Sequence, residues 1–151
     1  MDASEIIRAF GAKLGIGLEF DAENACSFEA DGLSLTIHNL PEIDMIAITG
    51  DLGDPPPWKL EGLYRIMLEA NYLFRETSGA SLSFNPEKGR FALCRAMPCK
   101  ALDGETFFSE AERFVSTLEM WARIVRNYRG SAPKDEEEIF PIPGAEGFLR
   151  V

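Results

Sequence analysis

One histidine, three cysteines and 25 carboxylates are the side chains in this sequence that could do chemistry. A histidine acting as a general base needs a carboxylate to orient it. His38 lies in "LSLTIHNL", where Leu33, Leu35 and Ile37 alternate with Ser34, Thr36 and His38, so it falls on the polar face of a strand without an acidic neighbour. An ordinary surface histidine is the favoured reading. Cys26, Cys94 and Cys99 form no C-x-x-C pair. Their odd number indicates a reducing compartment, and with a single histidine they fall short of the four ligands of a structural zinc site. Cys94 sits among Ala92 and Ala96 in a strand and Cys99 follows Pro98, so buried thiols are favoured over a redox pair. Gly11, Gly15 and Gly17, and again Gly50 and Gly53, lack the Lys-Ser or Lys-Thr of a phosphate loop and the spacing of a dinucleotide fingerprint. The carboxylates form no calcium-loop pattern, and Asp135 through Glu138 read as a solvated run. With no catalytic constellation, no metal set and no cofactor motif, the chain reads as a binding protein rather than an enzyme.

Charge narrows what it binds. The formal net charge is −10 and the pI about 4.6, so phosphate backbones and anionic lipid surfaces are repelled on average. No run reaches 18 apolar residues, and Met1 is followed by Asp2 and Glu5 rather than by a basic and then apolar stretch. Neither a membrane span nor a signal peptide is expected, and the expected location is the cytoplasm. A 46% hydrophobic content with 11 Phe is enough for a packed core.

The elements follow from apolar spacing. Ile6, Ile7, Phe10 and Leu14 form one helical stripe over residues 3–14, capped by Asp2 and Glu5 and ended by Gly15 and Gly17. Short β signals follow at 17–20 and in "ACSFEADGLSLTIH", where Asp31-Gly32 marks a hairpin. Met45 through Ile48 are apolar without interruption, the pattern of a strand covered on both faces. Pro55, Pro56 and Pro57 end that strand and leave Pro57 suited to the first turn of a helix over 58–75. There Leu60, Leu63, Tyr64, Met67, Leu68, Asn71 and Phe74 keep near-helical spacing, while Tyr72 and Leu73 widen the apolar arc. An arc that wide indicates burial on two sides, one against the chain's own sheet and one against a second copy. "ASLSFNPEKGRFALC" at 80–94 is a hairpin, and Phe107, Ala111, Phe114, Leu118, Trp121 and Val125 form a continuous helical seam. The predicted fold is α+β, a mostly antiparallel twisted sheet flanked by three helices in the order α-βββ-α-ββ-α, as a homodimer. Residues 1–129 make one domain, and 130–151 an acidic tail with Pro and Gly and little regular structure.

This order, with "IMLEANYLFRETSGASLSFNPEKGRFALC" at 66–94, resembles the class I chaperones of type III secretion, the Tir-chaperone family. The shared features are Ala70 and Asn71 at a helix end, Gly79, a strand with Leu82 and Phe84, the turn Asn85 through Gly89, and a strand with Phe91 and Leu93. Size, charge and helix order agree over residues 1 to about 128. The resemblance implies a homodimer built on the second helix that binds the N-terminal segment of a secreted effector in extended form, without ATP. It makes Leu63, Tyr64, Met67, Leu68 and Asn71 the interface candidates, and Ile7, Phe10, Leu35, Ile37 and Met45 the client-binding candidates. The acidic charge favours a basic client. A regulatory module on the same fold that binds a folded partner is the alternative, and an enzyme would rest on His38 and the cysteines alone. "IFPIP" and "GFLRV" in the tail could mimic a client in the chaperone's own groove, although disorder is favoured.

Overall fold

Asp31 and Gly32 both adopt left-handed backbone, at φ 52° and 76°, as a two-residue hairpin turn requires. The turn joins β1 (Ala25–Ala30) to β2 (Leu33–Leu40), with Ala30 opposite Leu33. In the computed structural model, which describes residues 1–130, β3 (Met45–Asp51), β4 (Ser81–Asn85) and β5 (Arg90–Pro98) complete a five-stranded sheet. The strand order is β1-β2-β3-β5-β4 and every pair is antiparallel. Helices α1 (Ala3–Leu14), α2 (Glu61–Asn71) and α3 (Gly104–Asn127) complete the expected α-βββ-α-ββ-α order. Both long terminal elements begin with an acidic cap: Asp2 and Glu5 form a capping box on α1, and Asp103 accepts from the Thr106 amide at 2.7 Å on α3. That hydrogen bond holds the Asp103 carboxyl below its usual pKa.

Register sorts the sheet into two faces. Phe28, Leu35, Gly50, Leu93 and Leu82 stand in one row across all five strands. All three helices meet this face: Phe10 of α1 packs on Phe28, Tyr64 of α2 on Phe91, and Leu118 of α3 fills the space left by the missing side chain of Gly50. Gly104 lets α3 approach α1 closely, since a Cβ there would lie 2.6 Å from that of Ala9. The next row, Ser27, Thr36, Thr49, Cys94 and Ser81, is small and polar and faces away from the helices. Ile6, Ile7, Leu35, Ile37, Ile46, Ile48, Leu63, Leu93, Leu118 and Val125 are enclosed between the layers. Each contributes on the order of 1.5–3 kcal/mol by leaving water.

Four local expectations are corrected. Residues 17–20 form no strand, because Leu18 buries against Gly11 of α1 and the chain passes as a connector. Central β3 is not covered on both faces by helices. Ala47, on its polar face, is enclosed because it is small and stands between His38 and Ala96 on the neighbouring strands. α2 starts at Glu61 rather than Pro57, since Trp58 and Lys59 are drawn against Gly130 at the end of α3. It stops at Asn71, beyond which Leu73 and Phe74 turn left-handed at φ 56° and 54°. Of the tail expected over 130–151, residues 131–151 lie outside the described residues.

Candidate protein-binding site

The expected interface residues on α2 divide between its two sides. Leu63 and Met67, with Ala70, point into the core, while Tyr64 and Leu68 face outward. Leu68 is 69% exposed and Tyr72, just past the helix, 75%. This is the two-sided apolarity read from the sequence, resolved into a sheet side and an open side. Tyr64 extends the open side to β4 through ring contacts, Tyr64 to Phe91 at 6.0 Å and Phe91 to the exposed Phe84 at 5.7 Å. Asn71 does something else: its Nδ2 donates to the Leu82 carbonyl at 3.2 Å, and its Oδ1 accepts from the Leu82 amide at 2.8 Å. The side chain thereby occupies both hydrogen-bonding groups that the middle of β4 turns away from β5.

The expected client residues divide too. Ile7, Leu35 and Ile37 have no more than 1% of their surface exposed, so in this conformation they support a binding surface from beneath. Met45 lies at the far end of β3 opposite Leu40 and Pro98, remote from the helices' groove. Phe10 alone reaches an open concavity.

That concavity is a groove of about 320 Å³ between α1, β1 and α3. Phe10, Ile48 and Ala111 form its floor; Leu14, Phe28, Phe108 and Val115 form its walls. Phe10 meets Phe28, Phe107 and Phe108 at centroid distances of 5.9, 5.2 and 6.0 Å, a packed aromatic cluster with one side open. Lys13 lies 5.3 Å above the Phe108 ring and pairs with Glu105 at 3.3 Å, closing one end. Phe108 and Val115 lie beside the α3 seam. Their i,i+7 spacing is the signal that could have marked a second apolar stripe.

Beside the groove runs the outer edge of β1. Both backbone groups of Ala25 that turn outward are taken by Asp21: the Ala25 carbonyl accepts from the Asp21 amide at 2.8 Å and the Ala25 amide donates to Oδ1 at 2.9 Å. By the period of two, Ser27 and Glu29 turn their amides and carbonyls the same way. An extended peptide could pair there while placing alternate side chains in the groove. A larger cleft of about 530 Å³ lies between Pro55–Pro57 and the end of α3, but no aromatic ring lines it.

The residues considered for chemistry are not assembled into a reactive site. His38 Nε2 lies 3.1 Å from Thr49 Oγ1 on the polar face, and burial pushes its pKa below the usual value. Burial raises the thiol pKa of Cys26, Cys94 and Cys99, the opposite of what a nucleophilic cysteine requires. Among the described residues, no group of three His, Cys, Asp or Glu side chains could hold a metal ion. No described helix is long and apolar enough to cross a membrane.

The same architecture occurs in solved structures. A chain of the ExsC–ExsE complex superposes with a TM-score of 0.72 at 20% identity, covering 83% of this chain and 97% of the other. One from the HopA1–SchA chaperone–effector complex gives 0.63 at 18% identity, covering 82% and 91%. One from the heterodimeric ExoU–SpcU complex of the Pseudomonas aeruginosa type III secretion system gives 0.62 at 20%, covering 80% and 95%. At such identities the likeness establishes the fold. Comparison with curated proteins finds no match to the sequence. Residues 5–122 match the family described as "Tir chaperone protein (CesT) family".

Proposed function

The chain belongs to the Tir chaperone protein (CesT) family, and from that premise we propose that it is a cytoplasmic, homodimeric type III secretion chaperone. It binds the N-terminal segment of a secreted effector and keeps that segment extended and competent for export without ATP. The observation that carries this reading is the aromatic groove lying alongside the outer edge of β1, which no described residue pairs at Ser27 and Glu29. Apolar side chains of an extended segment enter the groove, and its backbone pairs with β1 at Ser27 and Glu29. The structures of similar fold include complexes described as chaperone–effector assemblies, which supports an effector as partner.

Two copies meet through the open side of α2, where Tyr64, Leu68 and Tyr72 present apolar surface, while Leu63 and Met67 brace the helix from within. Asn71 contributes by holding α2 to β4. Phe10 is the member of the expected client set that reaches the segment, and Ile7, Leu35 and Ile37 fix the floor on which it rests. The net charge of −10 keeps the dimer soluble despite these apolar surfaces.

Co-expression with the N-terminal segment of a secreted protein encoded beside this chain tests the reading. The expected result is a soluble complex that Val115→Asp, in the groove wall, dissolves while far-UV circular dichroism stays unchanged. Capture of a folded regulator that Val115→Asp leaves bound would replace the chaperone reading with a regulatory one.

A further inference from the structure

Three carboxylates rim the apolar groove: Asp31 at the β1–β2 turn, and Glu112 and Glu119 on α3. Elsewhere on α3 the acidic side chains have cations, with Lys13 on Glu105 at 3.3 Å and Arg95 on Glu110 at 2.7 Å. Among the described residues, no ion pair or hydrogen bond engages the side chains of Asp31, Glu112 or Glu119, and all three are exposed. Lys13, which lies over the Phe108 ring of the groove wall, is already committed to Glu105. An apolar floor of Phe10 and Ile48 is therefore bordered by negative charge that no described cation pairs.

The borders also have a spacing. Glu112 and Glu119 are seven residues apart, two helical turns, which separates them by roughly 10.5 Å along α3. An extended chain turns every second side chain to the same face, at about 3.3 Å per residue, so residues four apart share a face about 13 Å apart, a span that long basic side chains can close onto the two carboxylates. We infer that the groove selects an extended client segment in which basic residues four positions apart flank an apolar side chain midway between them. Its basic groups meet Glu112 and Glu119, its apolar side chain enters between Phe28 and Phe108, and Asp31 adds charge at the β1 end. This rests on the chaperone reading and specifies the partner's chemistry.

The test uses the full chain and two fluorescein-labelled peptides, Gly-Ser-Arg-Thr-Val-Thr-Arg-Ser-Gly and its double Arg-to-Gln analogue, followed by fluorescence anisotropy. Exposed ion pairs are worth up to about fivefold each, so the Arg peptide should bind on the order of tenfold more tightly. The Glu112→Gln/Glu119→Gln chain should abolish that difference, and 0.5 M salt should shrink it. Val115→Asp should remove binding of both peptides. Equal affinity for the two peptides, or an advantage that survives the double Gln substitution, overturns the inference while leaving the chaperone reading intact. An Arg-peptide affinity that persists in Val115→Asp overturns it as well, by showing attraction to surface charge alone. Absence of any peptide binding also overturns it, and the chaperone reading is then judged separately by the effector co-expression.

Discussion

Substituting Leu68 with Asp separates the two sides of α2, because adjacent positions on this helix have opposite surroundings. Leu68 is 69% exposed and Met67 is 6% exposed. A fully buried Leu is worth about 1.5–3 kcal/mol, and roughly two-thirds of that remains to be gained when a second copy covers Leu68. Two-fold symmetry counts the loss twice, so Leu68→Asp should weaken the proposed dimer by about 2–4 kcal/mol, or roughly 30- to 1,000-fold in Kd. Folding of the subunit should change by no more than about 0.5 kcal/mol, the usual range for an exposed site. Met67→Asp instead places an unpaired carboxylate against the sheet and should cost more than about 3 kcal/mol of folding stability. Light scattering over a concentration series reads the first effect. The wild type should appear at about twice 16.8 kDa and Leu68→Asp at the monomer mass at micromolar concentration. Urea unfolding, with the monomeric variant as reference, reads the second. A Leu68→Asp protein that remains dimeric through the series, or that unfolds as readily as Met67→Asp, refutes this assignment of the two sides.

Asn71→Ala should lower stability by about 1–2 kcal/mol, because both Leu82 backbone groups lose their partner; the urea midpoint checks it, with Asn71→Gln as a control of equal chemistry and greater reach. Gly50→Ala should destabilise by about 1–3 kcal/mol, since the added methyl enters the space of Leu118. In a Leu118→Ala background, where the space is already vacated, Gly50→Ala should cost less than in the wild type, a non-additivity read by thermal unfolding of the single and double variants. His38 has a folded pKa depressed below 6.5, chiefly by burial, so the unfolded chain takes up its proton first as pH falls. Stability linked to this group is complete above about pH 6.5 and lost as pH drops through the folded value. His38→Gln should flatten the decline in stability below about pH 6.5 without altering effector binding.

Elements were legible where local spacing and tertiary demand agree. The α3 seam from Phe107 to Val125 is buried as its 4-and-3 spacing predicts, and Asp31-Gly32 turns where its backbone preferences require. What the sequence left open is direction in space. The α2 arc shows apolar residues on two sides, but only the position of β4 and β5 decides that Leu63 faces inward and Tyr64 outward. The stripe of Ile6, Ile7 and Phe10 looks alike whether it meets a partner or the chain's own core, and in the fold all three are buried, Phe10 against both Phe28 of β1 and Phe107 of α3. Residues 17–20 have strand chemistry without a neighbour to pair with, and Leu18 finds α1 instead. The groove was hidden for a further reason. Leu14, Phe28, Phe108 and Val115 come from three elements spread over a hundred residues, and their proximity is a product of topology.

The hydrogen bonds of Asn71 to Leu82 bear on how many ways this sheet can grow. A strand edge is a template, and a sheet with two open templates can add a peptide at one end and another molecule at the other, the route by which strands polymerise. Here an amide side chain stands in for the sixth strand at the β4 end. At the β4 end the outward groups of Leu82 are committed, whereas at the β1 end those of Ser27 and Glu29 lie beyond the two that Asp21 takes, so a guest strand finds the longer free template at β1. Removing Asn71 would return the Leu82 amide and carbonyl to the β4 edge as a second place for a strand to add.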